Sequence, residues 1–555
     1  MNKCALFFLI LSIIFLSLCK VDPSDEDQTG IVRGMVYITD ESSVTVKSST
    51  VTPIEGATVS VLNTELAAHT DASGYYILEN VPAGRQTLKV YAPGYLTETC
   101  DVDIKSETET LLDFCLSPQT GGSTFYVSTA GDDSFPGTET NPWKTPSYGS
   151  QRLQPGDTLI IKGGTYILDN YEDRLTPSSG TENAWITIKG EKGEKPRLEG
   201  SGNLFASVDI SGSSYIRIEN IEICAAAGEI LRDGITGTGG NVKGVLLKDL
   251  TIHHLNEFGV DMGDIQDMQI IECSITFCGF GSIGGPQGEN GGWRHVLIHG
   301  CDLSYSGYHY TGGNNPYERP DGFGIEPSSG PITIYDCTAE HNKGDGLDSK
   351  AQNTYIHHCI VANNRCDGIK LWGGGSKIEN TLIYGTGDGD ASSSPWAGIV
   401  IGTDEDNAVF EIINVTLHEN VQRHGYPIYV QYDESAPISV VLRNTIIAGG
   451  YGHAYFGDSV ELTAEYNIFY MPTRSDQVYA NGREYSKDEL GLLGPYNIHA
   501  DPEFIQPAWG SAGNYTLQVT SPAVDTGTSV GAPDDDLAHT PRPQGAGYDR
   551  GAYER

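Results

Sequence analysis

From residue 220 onward, a polar residue followed by one of buried character returns again and again along the chain. The pairs are Asn220-Ile221, Asp249-Leu250, Glu272-Cys273, Gly300-Cys301, Asp336-Cys337, His358-Cys359, Asn380-Thr381, Asn414-Val415, Asn444-Thr445 and Asn467-Ile468. Each is flanked by β-branched or apolar residues. The shortest spacing is 22 residues, from Asp336 to His358 and again from His358 to Asn380. A repeat of that length is one coil of a solenoid, in which equivalent residues of successive coils stack. Parallel stacking places Cys273, Cys301, Cys337 and Cys359 in one inward column, where a small apolar thiol fills a slot. A buried ladder accounts for these cysteines better than a metal site or a disulfide framework. The asparagines one position earlier predict a hydrogen-bonded ladder at a bend. High Gly and Tyr (68 and 30) and charged residues at only 19% fit many short strands and turns. The fold class expected is all-β, a parallel β-helix preceded by a small β-sandwich.

The N-terminus points to export. Lys3 precedes an apolar run from Ala5 to Leu18 that is too short for an ordinary membrane span. Cys19 ends the run, and Asp22, Asp25, Glu26 and Asp27 follow. The segment resembles a bacterial lipoprotein signal with Cys19 acylated, although Leu18 stands where a small residue is usual. That resemblance implies residues 1–19 as signal, 20–29 as an acidic tether, and a lipid anchor in the outer membrane, with a monomer expected. A cleaved signal without the anchor is the alternative. The formal net charge of −39 argues against nucleic acid as a partner. An anionic ligand would need a local positive focus, from Lys, Arg or a bound cation.

Residues 30–118 read as short strands separated by turns. The segments Pro53-Ile-Glu-Gly-Ala-Thr-Val, Thr70-Asp-Ala-Ser-Gly-Tyr-Tyr and Val81-Pro-Ala-Gly resemble the carboxypeptidase regulatory-like domain. Cys100 and Cys115, on neighbouring predicted strands, are positioned to pair. From Phe125-Tyr-Val-Ser through Gly131-Asp-Asp and Pro155-Gly-Asp-Thr the chain resembles the opening of secreted β-helix proteins. Residues 119–555 are therefore expected as the β-helix, with the segment from Ser521-Pro-Ala-Val-Asp to Gly551-Ala-Tyr-Glu covering its last coil.

One strand of each coil aligns on a Gly-apolar core: Phe258-Gly-Val-Asp, Asp321-Gly-Phe-Gly-Ile-Glu, Asp345-Gly-Leu-Asp-Ser-Lys, Asp367-Gly-Ile-Lys-Leu-Trp and Ala397-Gly-Ile-Val. Alternation turns Val260, Phe323, Leu347, Ile369 and Ile399 inward. Asp261, Glu326, Asp348, Lys350, Lys370 and Trp372 then lie on the outer face, while Asp321, Asp345 and Asp367 lead their strands in one column. Like charges crowded on rungs ~4.8 Å apart raise one another's pKa unless something compensates. Calcium, which takes six to eight oxygen ligands, is the natural compensator. The ligands expected are Asp321, Asp345 and Asp348, with Asp367 a fourth. Solvated turn-forming Asp-Gly dipeptides are the bland alternative.

Asp345-Gly-Leu-Asp348 followed by Asp367-Gly-Ile-Lys370-Leu resembles the active-site strands of family 9 polysaccharide lyases. Those are right-handed parallel β-helix enzymes that cleave pectate or rhamnogalacturonan with calcium held by aspartates and a lysine as base. By position, the resemblance implies Asp321, Asp345 and Asp348 as calcium ligands and Lys370 as the base. This chain departs at Gly344, where the family has a further Asp; Asp367 or Asp261 would have to supply that oxygen. The chemistry implied is β-elimination from an acidic polysaccharide, with Lys350 a second candidate base. Trp372 is a candidate for stacking on a sugar, and Lys350, Arg319, Arg365 and Arg423 for gripping substrate carboxylates. A glycoside hydrolase using paired carboxylates from Asp345, Asp348 or Asp261, and a non-catalytic carbohydrate-binding surface protein, are the alternatives.

Overall fold

The computed structural model describes residues 29–39, 51–62, 64, 66–119, 121–285, 291–311, 315–317, 319–387, 397–419, 425–432, 437–508 and 513–555. The expected signal, Cys19, most of the acidic tether and Arg423 lie outside them. No helix among the described residues is long and apolar enough to cross a membrane.

The first domain packs two sheets face to face. One holds Val51–Pro53, Thr29–Thr39 and Tyr75–Pro82, extended by Glu109–Leu111 and Phe114–Cys115; the other holds Ala67–His69, Thr58–Val61, Gly84–Tyr91 and Glu98–Ile104. Val32, Val36, Val59, Tyr76, Leu88 and Phe114 fill the space between them. Cys100 stands opposite Leu88 in one sheet and Cys115 opposite Tyr37 in the other, so the expected disulfide does not form.

From Thr124 the chain winds as a parallel β-helix. One face is a sheet of 13 strands, from Thr124–Val127 to Val460–Glu465, and a second is a sheet of 12, from Leu204–Asp209 to Arg483–Ser486. Sheets of five and six strands form the third face, joined through the bridges of Asp302 to Ser274 and to Thr338. A continuous apolar column runs up the interior, including Ile188, Ile218, Leu247, Ile270, Ile298, Ile334 and Ile356. Cys273, Cys301, Cys337 and Cys359 are buried within it, at 0–2% exposure.

The polar column has a different cause from the one expected. Asn220, Asp249, Glu272, Asp336, His358, Asn380, Asn414 and Asn444 all have φ between 40° and 53°. They turn the chain through the left-handed region, which Asn and Asp tolerate better than most residues. Within the column an Asn–Asn bond joins Asn444 to Asn414, at 3.1 Å. At the last expected pair the register is one residue off: Ile446 stands opposite Ile468, so Tyr466, φ 57°, takes the bend and Asn467 points inward.

The C-terminal segment lies along this bend rather than over the last coil. Asn414 donates to the carbonyls of Asp549 and Gly551, and buried Arg542 donates to Asn380 Oδ1 and Glu554 Oε2. Arg483–Ser486 folds back antiparallel on Asp476–Ala480 and closes the final edge of that sheet.

The small domain docks on the outside of the 13-stranded sheet. Tyr91 stacks on Trp185 at 5.7 Å, and Gln269 Nε2 donates to the Gly56 carbonyl. His299 lies between Glu55 of the small domain, at 3.1 Å, and Asp336 of the helix, at 3.2 Å. Burial pulls the imidazolium down, but Asp336 and Glu55 outweigh it and raise its pKa to about 9. A raised histidine contributes stability that is complete below its unfolded value of ~6.5 and is lost as pH climbs through 9. Thermal melts should therefore show the small domain loosening between pH 7 and 10. His299→Gln should be destabilised by ~1–3 kcal/mol at pH 7 and lose that dependence; a variant melting with the wild-type pH profile would refute the linkage.

Candidate functional site

Three consecutive strands of the 12-stranded sheet, Asp321–Ser328, Leu347–Ala351 and Ile369–Leu371, carry Asp321, Asp348 and Lys370, and Asp345 and Asp367 lie two residues ahead of the second and third. Asp348 stands opposite Gly324 on one side and Lys370 on the other. The leading aspartates form a ladder of their own. Asp345 N–H donates to Asp321 Oδ1 at 2.6 Å, Asp367 N–H to Asp345 Oδ1 at 2.8 Å, and Ala397 N–H to Asp367 Oδ1 at 2.9 Å. One oxygen of each acid thus satisfies the amide of the next coil, so the Asp-Gly turns are fold devices as well as site residues. Glycine must follow: a Cβ on Gly346 would come within 2.4 Å of Val361 and 2.6 Å of the Gly368 carbonyl. Three residues before Asp345 and Asp367, Asn342 and Asn364 are buried, and Asn342 Nδ2 donates a hydrogen bond to Asn364 Oδ1 at 2.9 Å. This asparagine pair holds the two coils in register just ahead of the site, and the sequence reading missed it.

The second oxygens converge with Lys370. Its Nζ lies 2.7 Å from Asp345 Oδ2, 3.3 Å from Asp367 Oδ2 and 3.7 Å from Asp348 Oδ2. The side chains leave the outer face of the sheet as expected, yet they are covered: Asp345, Asp348, Asp367 and Lys370 are 0–7% exposed. Arg319, from the segment entering the first strand, contributes to the cover and reaches Asp345 at 3.5 Å and Asp367 at 3.4 Å. It is engaged with the site's acids, not held out for a substrate carboxylate.

Burial and mutual repulsion set the protonation. Burial, then Asp345 and Asp348, hold Asp321 well above the carboxylate range. Burial raises Asp348 to about 6 against the pull of Lys370, and burial with Asp345 raises Asp367 to about 7. For Lys370 burial works toward the neutral amine, but Asp345, Asp348 and Asp367 outweigh it and keep the ammonium charged.

Asp321, Asp345 and Asp348 offer oxygens that all lie within 4.8 Å of one another, and Asp348 Oδ1 is buried without a hydrogen-bond partner. An all-oxygen donor set with an orphaned carboxylate oxygen fits a hard cation. Asp367 lies outside this group, with Oδ1 on Ala397 N–H and Oδ2 facing Lys370 and Arg319. Asp261 is farther still. The strand Gly281–Gly285 intervenes, so Asp261, Gly284, Gly324 and Asp348 stack in that order, three rungs or ~14 Å from end to end. The sequence alignment skipped that coil because its outward position is glycine. Nor can an acid occupy position 344: a Cβ there would meet Asp321 Oδ1 at 2.3 Å.

The remaining candidates are peripheral. Lys350 pairs with Glu326 at 2.9 Å. Trp372 packs flat enough on Gly402 that a Cβ there would touch its ring at 3.2 Å, and its Nε1 is buried without a partner. Arg365 is half-buried beside Cys366, and its backbone N–H donates to the Asn342 carbonyl.

Residues 125–389 match the family model described as "Pel9A-like, right handed beta helix region", and residues 43–117 match the carboxypeptidase regulatory-like domain. Among solved structures, XylC in complex with xylose aligns with a TM-score of 0.55 at 13% identity, covering 77% of this chain and 98% of that one. Pectate lyase Pel9A aligns at 0.44 and 14% identity, over 79% and 97% of the two chains. The family 6 alginate lyase AlyGC aligns at 0.46 and 12% identity, over 72% and 55%. The uncharacterized protein YwoF of Bacillus subtilis (strain 168) is 29% identical over 112 residues, 20% of this chain. The match spans only 22% of that relative's length. Residues 125–389 are a Pel9A-like right-handed β-helix region, and a carboxypeptidase regulatory-like domain precedes them.

Proposed function

We propose that the chain is a calcium-dependent polysaccharide lyase that cleaves an acidic, uronate-containing polysaccharide such as pectate or rhamnogalacturonan by β-elimination. The observation that carries this reading is the meeting of Lys370 with Asp345 and Asp348 in one covered pocket, on adjacent rungs. A covered amine beside a cation-competent acid cluster is what abstraction of a weakly acidic C–H next to a carboxylate requires.

Asp321, Asp345 and Asp348 would hold the calcium. When bound, it would neutralise the uronate carboxylate and stabilise the enolate-like charge that grows there. Lys370 takes the C-5 proton as the bond from C-4 to the linking oxygen breaks, leaving an unsaturated sugar at the new end. To act as a base Lys370 must first shed its own proton. Burial favours the neutral amine, and Arg319 adds a neighbouring positive charge that pushes the same way. Two of the acids that oppose them, Asp345 and Asp348, are ones a cation would neutralise. A hydrolase pairing of Asp348 with Asp261 would span three rungs, ~14 Å, beyond the separation such enzymes use, so a hydrolase would have to pair Asp345 with Asp348, whose oxygens lie within 4.8 Å of one another.

Two outcomes follow. Lys370→Ala should lower formation of the ultraviolet-absorbing product about 10²- to 10⁴-fold while leaving the fold intact by circular dichroism; near-normal rates would remove the lysine from the mechanism. Calcium binding must displace protons from Asp348, raised to about 6, and from Asp321, held well above the carboxylate range. Affinity measured by calorimetry should therefore fall as pH drops from 8 to 5, with protons released on binding. Full turnover in excess chelator, or an affinity independent of pH, would end the metal reading.

A further inference from the structure

The aromatic residues on the N-terminal side of the acid pocket play no part in the elimination itself. Phe258 lies across the glycines of the next rung: a Cβ on Gly284 would meet its ring at 2.6 Å, and one on Gly281 at 3.1 Å. Phe280 packs edge-on to Phe258 at 5.7 Å, and Tyr310 stacks on Phe280 at 5.7 Å. Tyr317 completes the group, stacked on Phe280 at 5.3 Å and 17° and edge-on to Phe258 at 5.6 Å. On the following rung the space above Gly324 is taken by Asp321, whose Oδ2 would lie 2.6 Å from an added Cβ. Along the column Gly284, Gly324, Asp348, Lys370, the outer surface thus passes from an aromatic floor to a carboxylate and then to the acid and amine of the site.

Tyr317 remains 41% exposed although its ring is backed by two others. It stands two residues before Arg319, which touches Asp345 and Asp367. Burial, then Asp321, Glu326 and Asp348, raise its hydroxyl to about 12. An exposed ring with an apolar body and a polar tip, held rigid at the edge of a charged pocket, suits a ligand that has apolar faces and polar edges. A pyranose is such a ligand. Two to three rungs, ~10–14 Å, separate this platform from Lys370, which suits a nearby sugar of the same chain.

We propose that Tyr317, backed by Phe280 and Phe258, is a pyranose-stacking subsite for a sugar near the one attacked, so that the polysaccharide runs along the helix axis toward the N-terminal coils. The proposal rests on the acid–lysine pocket being where the polyuronate reacts. The test is affinity electrophoresis of wild type, Tyr317→Ala and Tyr317→Phe in gels containing polygalacturonate, rhamnogalacturonan or alginate, with melting temperatures as the control on folding. At least one polymer should retard the wild type. Tyr317→Ala should bind that polymer about fivefold more weakly, and Tyr317→Phe within about twofold, because the ring and not the hydroxyl is needed. Retardation that depends on Tyr317, without any ultraviolet-absorbing product, would sink the elimination chemistry and support the subsite. The subsite is overturned if Tyr317→Ala is retarded like wild type, if Tyr317→Phe is as weak as Tyr317→Ala, or if none of the three polymers is bound.

Discussion

Each coil of a parallel β-helix must offer its backbone N–H groups to the coil before it, and at corners no strand partner is available to receive them. At the entrance to the site the carboxylates of Asp321, Asp345 and Asp367 fill that gap, each accepting the amide of the residue that follows it one coil later. The arrangement fixes each acid through its Oδ1 and leaves the geometry of Oδ2 determined by the fold. Asp233 plays the same part farther down the sheet, accepting Phe258 N–H at 2.9 Å. The ladder is therefore older in logic than the chemistry: a corner device becomes a site where Asp348 and Lys370 arise on the adjoining outward positions.

That distinction explains what could be read from the residues. The solenoid was legible because inward positions repeat a physical demand, apolar and of matched size, on every coil. Val260, Ile283, Phe323, Leu347, Ile369 and Ile399 stack as that demand requires. Outward positions repeat nothing, so the coil at Gly281–Gly285 left no mark and Asp261 was drawn too close to the acids. The bend column misled for a related reason. Asn, Asp, Gly, His and Glu all occupy it, and what they share is a backbone angle rather than a side-chain bond. At Tyr466 the polar signature is missing and the neighbouring Asn467 imitated it. Pairing of Cys100 with Cys115 failed because neighbouring strands in sequence belong to opposite sheets of the sandwich. Burial of the site was invisible too, since the segment that carries Arg319 follows no repeat.

Charge imposes the remaining constraint. A chain with net charge −39 repels polyanions at a distance. Close to the pocket the balance differs, because the acids are covered and raised while Lys370 and Arg319 are placed among them. Lys350 is offset by Glu326 and Lys377 by Glu379, so the basic groups beside these strands are largely neutralised in pairs. On the proposed function, recognition of a uronate chain by such a surface must be short-ranged, through contact with the acid–lysine cluster and with the proposed Tyr317 ring face, more than through long-range steering.

Stability alone gives no reason for this cluster. Burying charged groups costs several kcal/mol per ion unless every lone pair and proton is met, and replacing a buried ion pair with apolar residues is often neutral or stabilising. Here one oxygen of Asp348 has no partner, the amine of Lys370 is shared among three acids, and two carboxyl groups are held near pKa values of 6 and 7. The neighbouring coils show the cheaper solution: at the rung after Lys370 the same outward position is Val400, itself buried. A fold able to place valine there, and placing a lysine against three aspartates one rung away, has kept a locally unfavourable arrangement in a region where backbone bonds from three coils hold it in position. Such departures from local consistency concentrate at functional sites.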